Sequence, residues 1–333
     1  MKQEVGPVAN VVRPILDQYR NAPIALIGCH SMGIERSSCE LDILVVTEDK
    51  LRPVSVALGS QLVDITFEKE RQVLDPTSAE SAVGFAHARA IRDGSLVIST
   101  SSATHLAVLE VNCRKNAQSK LASAVKALGR ADEALGRKSA HDADYWLLRA
   151  TYDYAFALLY SKSIQPCPSH LLQQLKQPQT STAKSFEAIS KGTGLERASR
   201  VSCTARLEAI SLIQDALRSR NPSESPSEPE WSVPRFEILK RKADFLAAAA
   251  DHAEAYSFLG IETLVALNSL LPVETGDRAA GGEALPISAM ADGKERMIGE
   301  SLVSGLGITR QAKGIESGLR SLKEQVSGLA RKI

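Results

Sequence analysis

The segment Ile24–Val46, IALIGCHSMGIERSSCELDILVV, constrains this chain more than any other stretch. An apolar run, Ile24–Ile27, leads into small and polar residues with two glycines, then Glu40-Leu41-Asp42 and the unbroken apolar run Ile43–Val46. This reads as a strand, a loop and a second strand. Strand side chains alternate between faces, so Glu40 and Asp42 share one face while Leu41 points the other way, into a core. An acid directly before four apolar strand residues needs a purpose, because a carboxylate taken from water without partners is costly. Two carboxylates on one face, beside a loop of small residues, can hold a divalent ion next to a phosphate chain. Mg²⁺ takes a few carboxylates plus phosphate oxygens in preference to an all-protein cage.

A third acid follows. Gln61–Phe67, QLVDITF, alternates so that Leu62, Asp64 and Thr66 lie on one face and Val63, Ile65 and Phe67 on the other. Three carboxylates converge if this third strand pairs beside the second; the alternative for Asp64 is a solvated charge on an edge strand. Asp49, Glu68 and Glu70 read as surface charge. Upstream, Val8, Val11, Val12, Ile15, Leu16 and Tyr19 have helical spacing, with Pro14 near the helix start. Glu48-Asp49-Lys50 and Arg52-Pro53 mark a turn. Downstream, a helix is expected over Ser78–Arg92, stopped by Asp93-Gly94, and a short strand over Leu96–Ser99. The expected order is helix, three strands, helix, strand, a compact unit ending near residue 100.

From Ala103 the composition shifts to helix formers. Helices are expected over Ala103–Leu135, Ala140–Ser161, Ser169–Leu175, Leu195–Ser219, Arg235–Ala250, Ala253–Leu270 and Lys294–Ile333. Asn221–Glu230, NPSESPSEPE, has the composition of a linker, and 272–293 that of a loop. The expected class is therefore α+β: a small mixed-sheet domain over 1–100, a helical bundle over 101–220, a linker at 221–230, and further helices over 231–333. In the stripe Tyr145, Leu148, Tyr152, Phe156 and Leu159 we read a bundle core. Ile315, Leu319, Leu322, Val326, Leu329 and Ile333 repeat with heptad spacing. The favoured reading is an amphipathic C-terminal helix packed on its own bundle, the alternative a seam for a homo-oligomer.

With 40 basic and 39 acidic residues the chain has a net charge of +1, so composition alone argues for neither nucleic-acid nor membrane attraction. Five scattered cysteines without a CxxC pair suit neither a disulfide framework nor a structural zinc site, and fit the reducing cytoplasm. No uninterrupted apolar run approaches spanning length, and no membrane partner is expected.

The first hundred residues resemble the nucleotidyltransferase superfamily of polymerase beta-like fold, most closely its minimal and antibiotic nucleotidyltransferases. Gly28 and Cys29 stand where that family has Gly-Ser, Ser31 at its small position and Gly33 at its second glycine. Five residues later Cys39-Glu40-Leu41-Asp42 stand at its Ser-Asp-hydrophobe-Asp, and Asp64 at its third acid. ARAIRDGSLVIST resembles the helix-Asp-Gly-strand that closes such domains. Three residues depart from the pattern: Cys29 and Cys39 replace serines, and Glu40 replaces the first Asp. Thiols donate weakly, which leaves a phosphate grip resting more on backbone N–H groups.

The resemblance implies transfer of a nucleoside monophosphate from a nucleoside triphosphate to a hydroxyl acceptor by a two-metal in-line mechanism. It implies Mg²⁺ or Mn²⁺ held by Glu40, Asp42 and Asp64, and triphosphate contacts from Gly28, Cys29, Ser31 and Gly33. The acceptor, whether small molecule, protein or RNA, is open. Two alternatives of the same fold are a catalytically weak nucleotide-binding regulator and an enzyme that extends tRNA or RNA ends. The segment Lys294–Ile333, with eight basic and four acidic residues, suits the latter. Helical domains of the HEPN type often accompany minimal nucleotidyltransferases. Arg149 has no histidine in the spacing of their ribonuclease forms, so that activity is not expected.

Overall fold

The computed structural model describes residues 6–36, 39–58, 61–220, 235–248, 251–270, 296–308 and 311–333. Among the described residues it is α+β, as expected: one mixed five-stranded sheet, with the other elements helical. The chain divides into two compact units, residues 1–116 with 225–242, and residues 117–224 with 243–333. The boundaries expected from the sequence were at residues 100, 220 and 230; residues 235–242 fall in the same unit as the sheet. The divisions at 116 and 242 fall inside helices, where no linker composition marks them. The expected linker at 221–230 and loop at 272–293 lie outside the described residues.

In the first unit the expected single helix over Val8–Tyr19 is two, α1 (Gly6–Val11) and α2 (Arg13–Gln18), with Pro14 in the first turn of α2. Proline lacks an N–H and has a fixed φ, so it starts a helix readily but cannot continue one. The sheet runs β3-β4-β2-β1-β5. Its strands are β1 (Ile24–Ile27), β2 (Leu41–Val46), β3 (Val54–Leu58), β4 (Gln61–Glu68) and β5 (Arg89–Arg92), with a short helix α3 (Gly28–Met32) after β1. β2 pairs parallel with β4, and the other pairings are antiparallel.

Alternation assigns the side chains to two cores. Ile24, Leu26, Leu41, Ile43, Val45, Val63 and Ile65 pack with Val12 and Ile15. Ala25, Leu44 and Val46 pack with Val73, Phe85, Val97 and Ile98, which come from α4 (Glu70–Leu74), α5 (Ala79–Ala86) and α6 (Val97–Ala107). Each such aliphatic side chain contributes roughly 1.5–3 kcal/mol of burial, and both faces of the sheet are covered.

Local expectations fail in four places. β3 and α4 were not foreseen. The expected helix over Ser78–Arg92 ends at Ala86, and Arg89–Arg92 instead forms β5 against β1. The expected strand over Leu96–Ser99 is the first turn of α6. Asp93 explains the last reversal: its carboxylate accepts from Ile98 N at 3.0 Å, Ser99 N at 2.7 Å and Ser99 Oγ at 2.6 Å. The two backbone N–H groups are donors that a helix N-terminus otherwise leaves unsatisfied.

The second unit is helical. It takes α7 (Leu109–Gly136) from Ala117 onward, α8 (Ala140–Tyr160), α9 (Leu171–Leu175), α10 (Ala183–Thr193), α11 (Arg200–Arg220), only the end of α12 (Arg235–Ala248) from Ala243 onward, α13 (His252–Leu270), α14 (Arg296–Leu306) and α15 (Ala312–Ala330). α10 was not foreseen. The expected helix over Lys294–Ile333 breaks at Gly307, whose φ is +67°. Tyr145, Leu148, Tyr152 and Leu159 of α8 are buried in the core, and Phe156 packs against it. The heptad positions Ile315, Leu319, Leu322, Val326 and Leu329 of α15 join that same core, against α8 and α10. This face is thus occupied within the chain itself.

Buried charge in this unit is matched locally. Glu254 accepts from Leu172 N at 3.0 Å and Gln173 N at 3.2 Å, at the start of α9. Arg206, fully buried and stacked on Tyr256, donates to the carbonyls of Tyr256, Gly305 and Leu306 and so closes the end of α14. No described helix is long and apolar enough to cross a membrane.

Candidate metal centre

Strand register builds the site. The parallel pairing of β2 with β4 sets Asp42 opposite Asp64. The antiparallel pairings set Ile27 opposite Asp42 and Ser55 opposite Asp64. Ser55, Asp64, Asp42 and Ile27 therefore form one row across four strands. Asp42 has the alternation of Leu44 and Val46, away from Leu41 and Ile43. Glu40 immediately precedes β2. Carboxylate oxygens of Glu40, Asp42 and Asp64 all lie within 4.8 Å of one another, and all three residues are half-buried. Ionised carboxylates this close repel unless cations or donors face them.

Such compensation includes a hydroxyl and an ammonium. Ser55 Oγ donates to Asp64 Oδ1 at 2.5 Å. Lys242 Nζ, on α12, lies 2.5 Å from Glu40 Oε2, and both side chains are largely shielded from solvent.

Gly28 has φ +68°, and a Cβ there would lie 2.0 Å from Asp42 Oδ2. The carboxylate of Asp42 occupies the space a side chain would take, so the backbone after β1 approaches the acid directly. Where the sequence reading placed an open loop, residues 28–32 wind into α3. Gly33, in the left-handed region at φ +72°, ends it with its N–H on Cys29 O. Ser31 Oγ donates to Gly28 O at 2.8 Å and so is engaged within α3. Cys29 and Cys39 are buried. The segment before Glu40 is held by Gln61 Nε2, which donates to Cys39 O at 2.8 Å, and by Arg36 N on Cys39 Sγ at 3.3 Å.

Of the residues singled out in the sequence, Glu40, Asp42, Asp64 and Gly28 are brought together. Ser31 and Cys29 have their side-chain polar atoms turned to local or buried surroundings, and the space beside Gly33 is open. Sequence reasoning missed Ser55, Gln61 and Lys242. Ser55 had a usable signal: VSVAL and QLVDITFE flank Gly59-Ser60, a two-residue hairpin pattern. Lys242 had none, being one cation in the helical run Lys240-Arg241-Lys242.

The donor set is three hard carboxylates with no imidazole or thiolate among them, which fits Mg²⁺ or Mn²⁺ better than zinc. Fixed backbone beside the cluster and a hydrogen-bonded Asp64 are the outer support such a site needs. A scan against protein-family models finds no match to this chain, and neither does a search of curated proteins.

Proposed function

We propose that this chain is a metal-dependent nucleotidyltransferase of polymerase beta-like fold, moving a nucleoside monophosphate from a nucleoside triphosphate to a hydroxyl acceptor. The observation that carries the reading is the convergence of Glu40, Asp42 and Asp64, with Asp42 and Asp64 side by side on parallel strands. In this reading the three acids hold Mg²⁺ or Mn²⁺. When bound, such ions offset charge on the phosphoryl oxygens and activate the attacking hydroxyl.

The chain's own residues do the rest. Ser55 fixes the carboxylate of Asp64, which receives the proton of the attacking hydroxyl. Gly28 gives Asp42 its place and lets the backbone of residues 28–33 approach the phosphates. Because Cys29 is buried and Ser31 is bonded to Gly28 O, backbone N–H groups carry the triphosphate grip. The acceptor is a small molecule, a protein or an RNA. Five scattered cysteines without a CxxC pair suit a cytoplasmic setting.

The test is transfer of label from α-phosphate-labelled nucleoside triphosphates to acceptors in a cell lysate, with Mg²⁺ or Mn²⁺. Wild type should transfer label, and Asp64→Asn should lose about 10²–10³-fold. A second reading, a catalytically weak nucleotide-binding regulator, is favoured by one observation: Lys242 already neutralises Glu40. Metal-dependent nucleotide binding without transfer would select it.

A further inference from the structure

The helical unit holds a cavity of about 440 Å³, and every residue lining it belongs to that unit. It opens where the end of α8, the segment 178–182, the start of α10 and the end of α15 meet. Its volume suits a small organic molecule rather than a single ion. Thr180 lines it and is only 2% exposed, yet Thr180 Oγ1 has no hydrogen-bond partner among the described residues. A buried hydroxyl left unpaired is costly, and water or a ligand atom can satisfy it. The rest of the lining favours a ligand. Lys162 and Lys332 are on it, and no Asp or Glu side chain is. The main-chain oxygen of Ile333, also on the lining, accepts from Gln118 Nε2 at 3.3 Å. At the start of α10, Thr182 Oγ1 accepts from Ser185 N at 3.1 Å, which satisfies one of the four N–H groups a helix start leaves open. The positive end of the helix dipole there favours an anion. Gln325 Oε1 accepts from Ser185 Oγ at 3.0 Å, which leaves its NH₂ as a further donor. Ser161 and Ser181 are different. Their hydroxyls donate to Leu158 O at 2.7 Å and Leu175 O at 2.6 Å, so toward a ligand they can only accept.

We propose that this cavity binds a small sugar phosphate. The phosphate lies on Thr180, the start of α10 and the two lysines, and the sugar hydroxyls donate to Ser161 and Ser181. A phosphate brings a charge of about −1.5 to −2 and three strong acceptor oxygens, which suit this set of donors better than the two oxygens of a carboxylate. Lysine binds phosphate as a point charge, so its flexible stem can follow the group from the rim. Leu158 and Leu329 supply an apolar wall for the C–H face of a sugar ring. Glu40, Asp42 and Asp64 belong to the other unit, so this site needs none of the metal centre's residues.

The experiment titrates the full-length protein calorimetrically with glucose 6-phosphate, ribose 5-phosphate, inorganic phosphate and glucose. EDTA is present throughout, so that no divalent ion bridges phosphate to the three acids. At least one of the two sugar phosphates should bind once per chain with a dissociation constant at or below about 1 mM, and about fivefold or more tighter than inorganic phosphate. Glucose alone should not bind. Thr180→Val should weaken that binding about tenfold or more, yet raise the urea midpoint of the ligand-free protein, because an unpaired buried hydroxyl has been removed. Lys162→Met, a change at an exposed residue, should weaken binding about fivefold. Binding of neither sugar phosphate would overturn the proposal, as would inorganic phosphate binding as tightly as they do. Binding that both variants leave intact would overturn it too, by placing the ligand elsewhere. A lower urea midpoint for Thr180→Val would show that the hydroxyl is already satisfied within the fold, and would overturn its role as a ligand contact.

Discussion

Gly28 and Gly33 both sit at positive φ, +68° and +72°, yet a side chain would meet different surroundings at each. At Gly33 nothing lies within 4 Å of the added Cβ. Gly33→Ala should therefore cost only the left-handed conformation, about 1–2 kcal/mol, and leave Mn²⁺ affinity unchanged. Gly28→Ala adds a contact of 2.0 Å to Asp42 Oδ2, so Asp42 must move. Denaturant unfolding should show a larger loss than at Gly33, and Mn²⁺ affinity should fall as well. Equal effects of the two substitutions would mean that Gly28 serves the turn alone. Ser55 makes a complementary case: its 2.5 Å bond to Asp64 Oδ1 orients a carboxylate from outside the cluster. Ser55→Ala should weaken Mn²⁺ binding about 10–100-fold, the usual effect of losing such support. Calorimetry that finds no change would place Asp64 outside the site.

At the scale of elements, what could be read from the sequence depended on whether local pattern and tertiary pairing agreed. β1, β2 and β4 were legible because their apolar runs or alternation coincide with burial on the sheet. α8 was legible because its stripe is long. β5 was not: Arg89–Arg92 is half-buried throughout, and only pairing with β1 makes it a strand. β3 buries Val56 alone among its five residues, so its alternation behind Pro53 was faint. The same contrast holds in the site. Glu40, Asp42 and Gly28 stand at strand ends and Asp64 within the alternating β4, so all could be read in order, whereas Ser55 lay on the missed strand and Lys242 meets Glu40 only in the fold. α6 offers a direct check, because Asp93 caps a helix where a strand was expected. Asp93→Ala should lower unfolding stability by about 1 kcal/mol, measured in urea. An unchanged midpoint would show that the cap is not needed.

For the molecule as a whole, two compact units with separate cores imply that folding and site chemistry can be perturbed apart. Asp153 in the helical unit is the probe. Burial pushes its carboxyl above the ordinary value of 3.8, and the neighbouring Arg149 offsets this only in part. A raised acid favours folding when protonated, so this stabilisation is present below 3.8 and is lost as pH rises through the folded value. Asp153→Asn cannot ionise. Wild type should therefore lose stability relative to Asp153→Asn as pH rises above 3.8 and through the raised folded value in urea unfolding, and a constant difference would contradict the burial argument. Mn²⁺ affinity measured at one pH should be the same in both proteins. The central claim is that Asp42 works in nucleotidyl transfer. Its most direct test is pyrophosphate release from each of the four nucleoside triphosphates, with Mg²⁺ or Mn²⁺ and lysate as acceptor source, for wild type and Asp42→Asn. Release by wild type that disappears in Asp42→Asn is the predicted result; release that Asp42→Asn leaves intact, or no nucleotide binding by wild type, would contradict it.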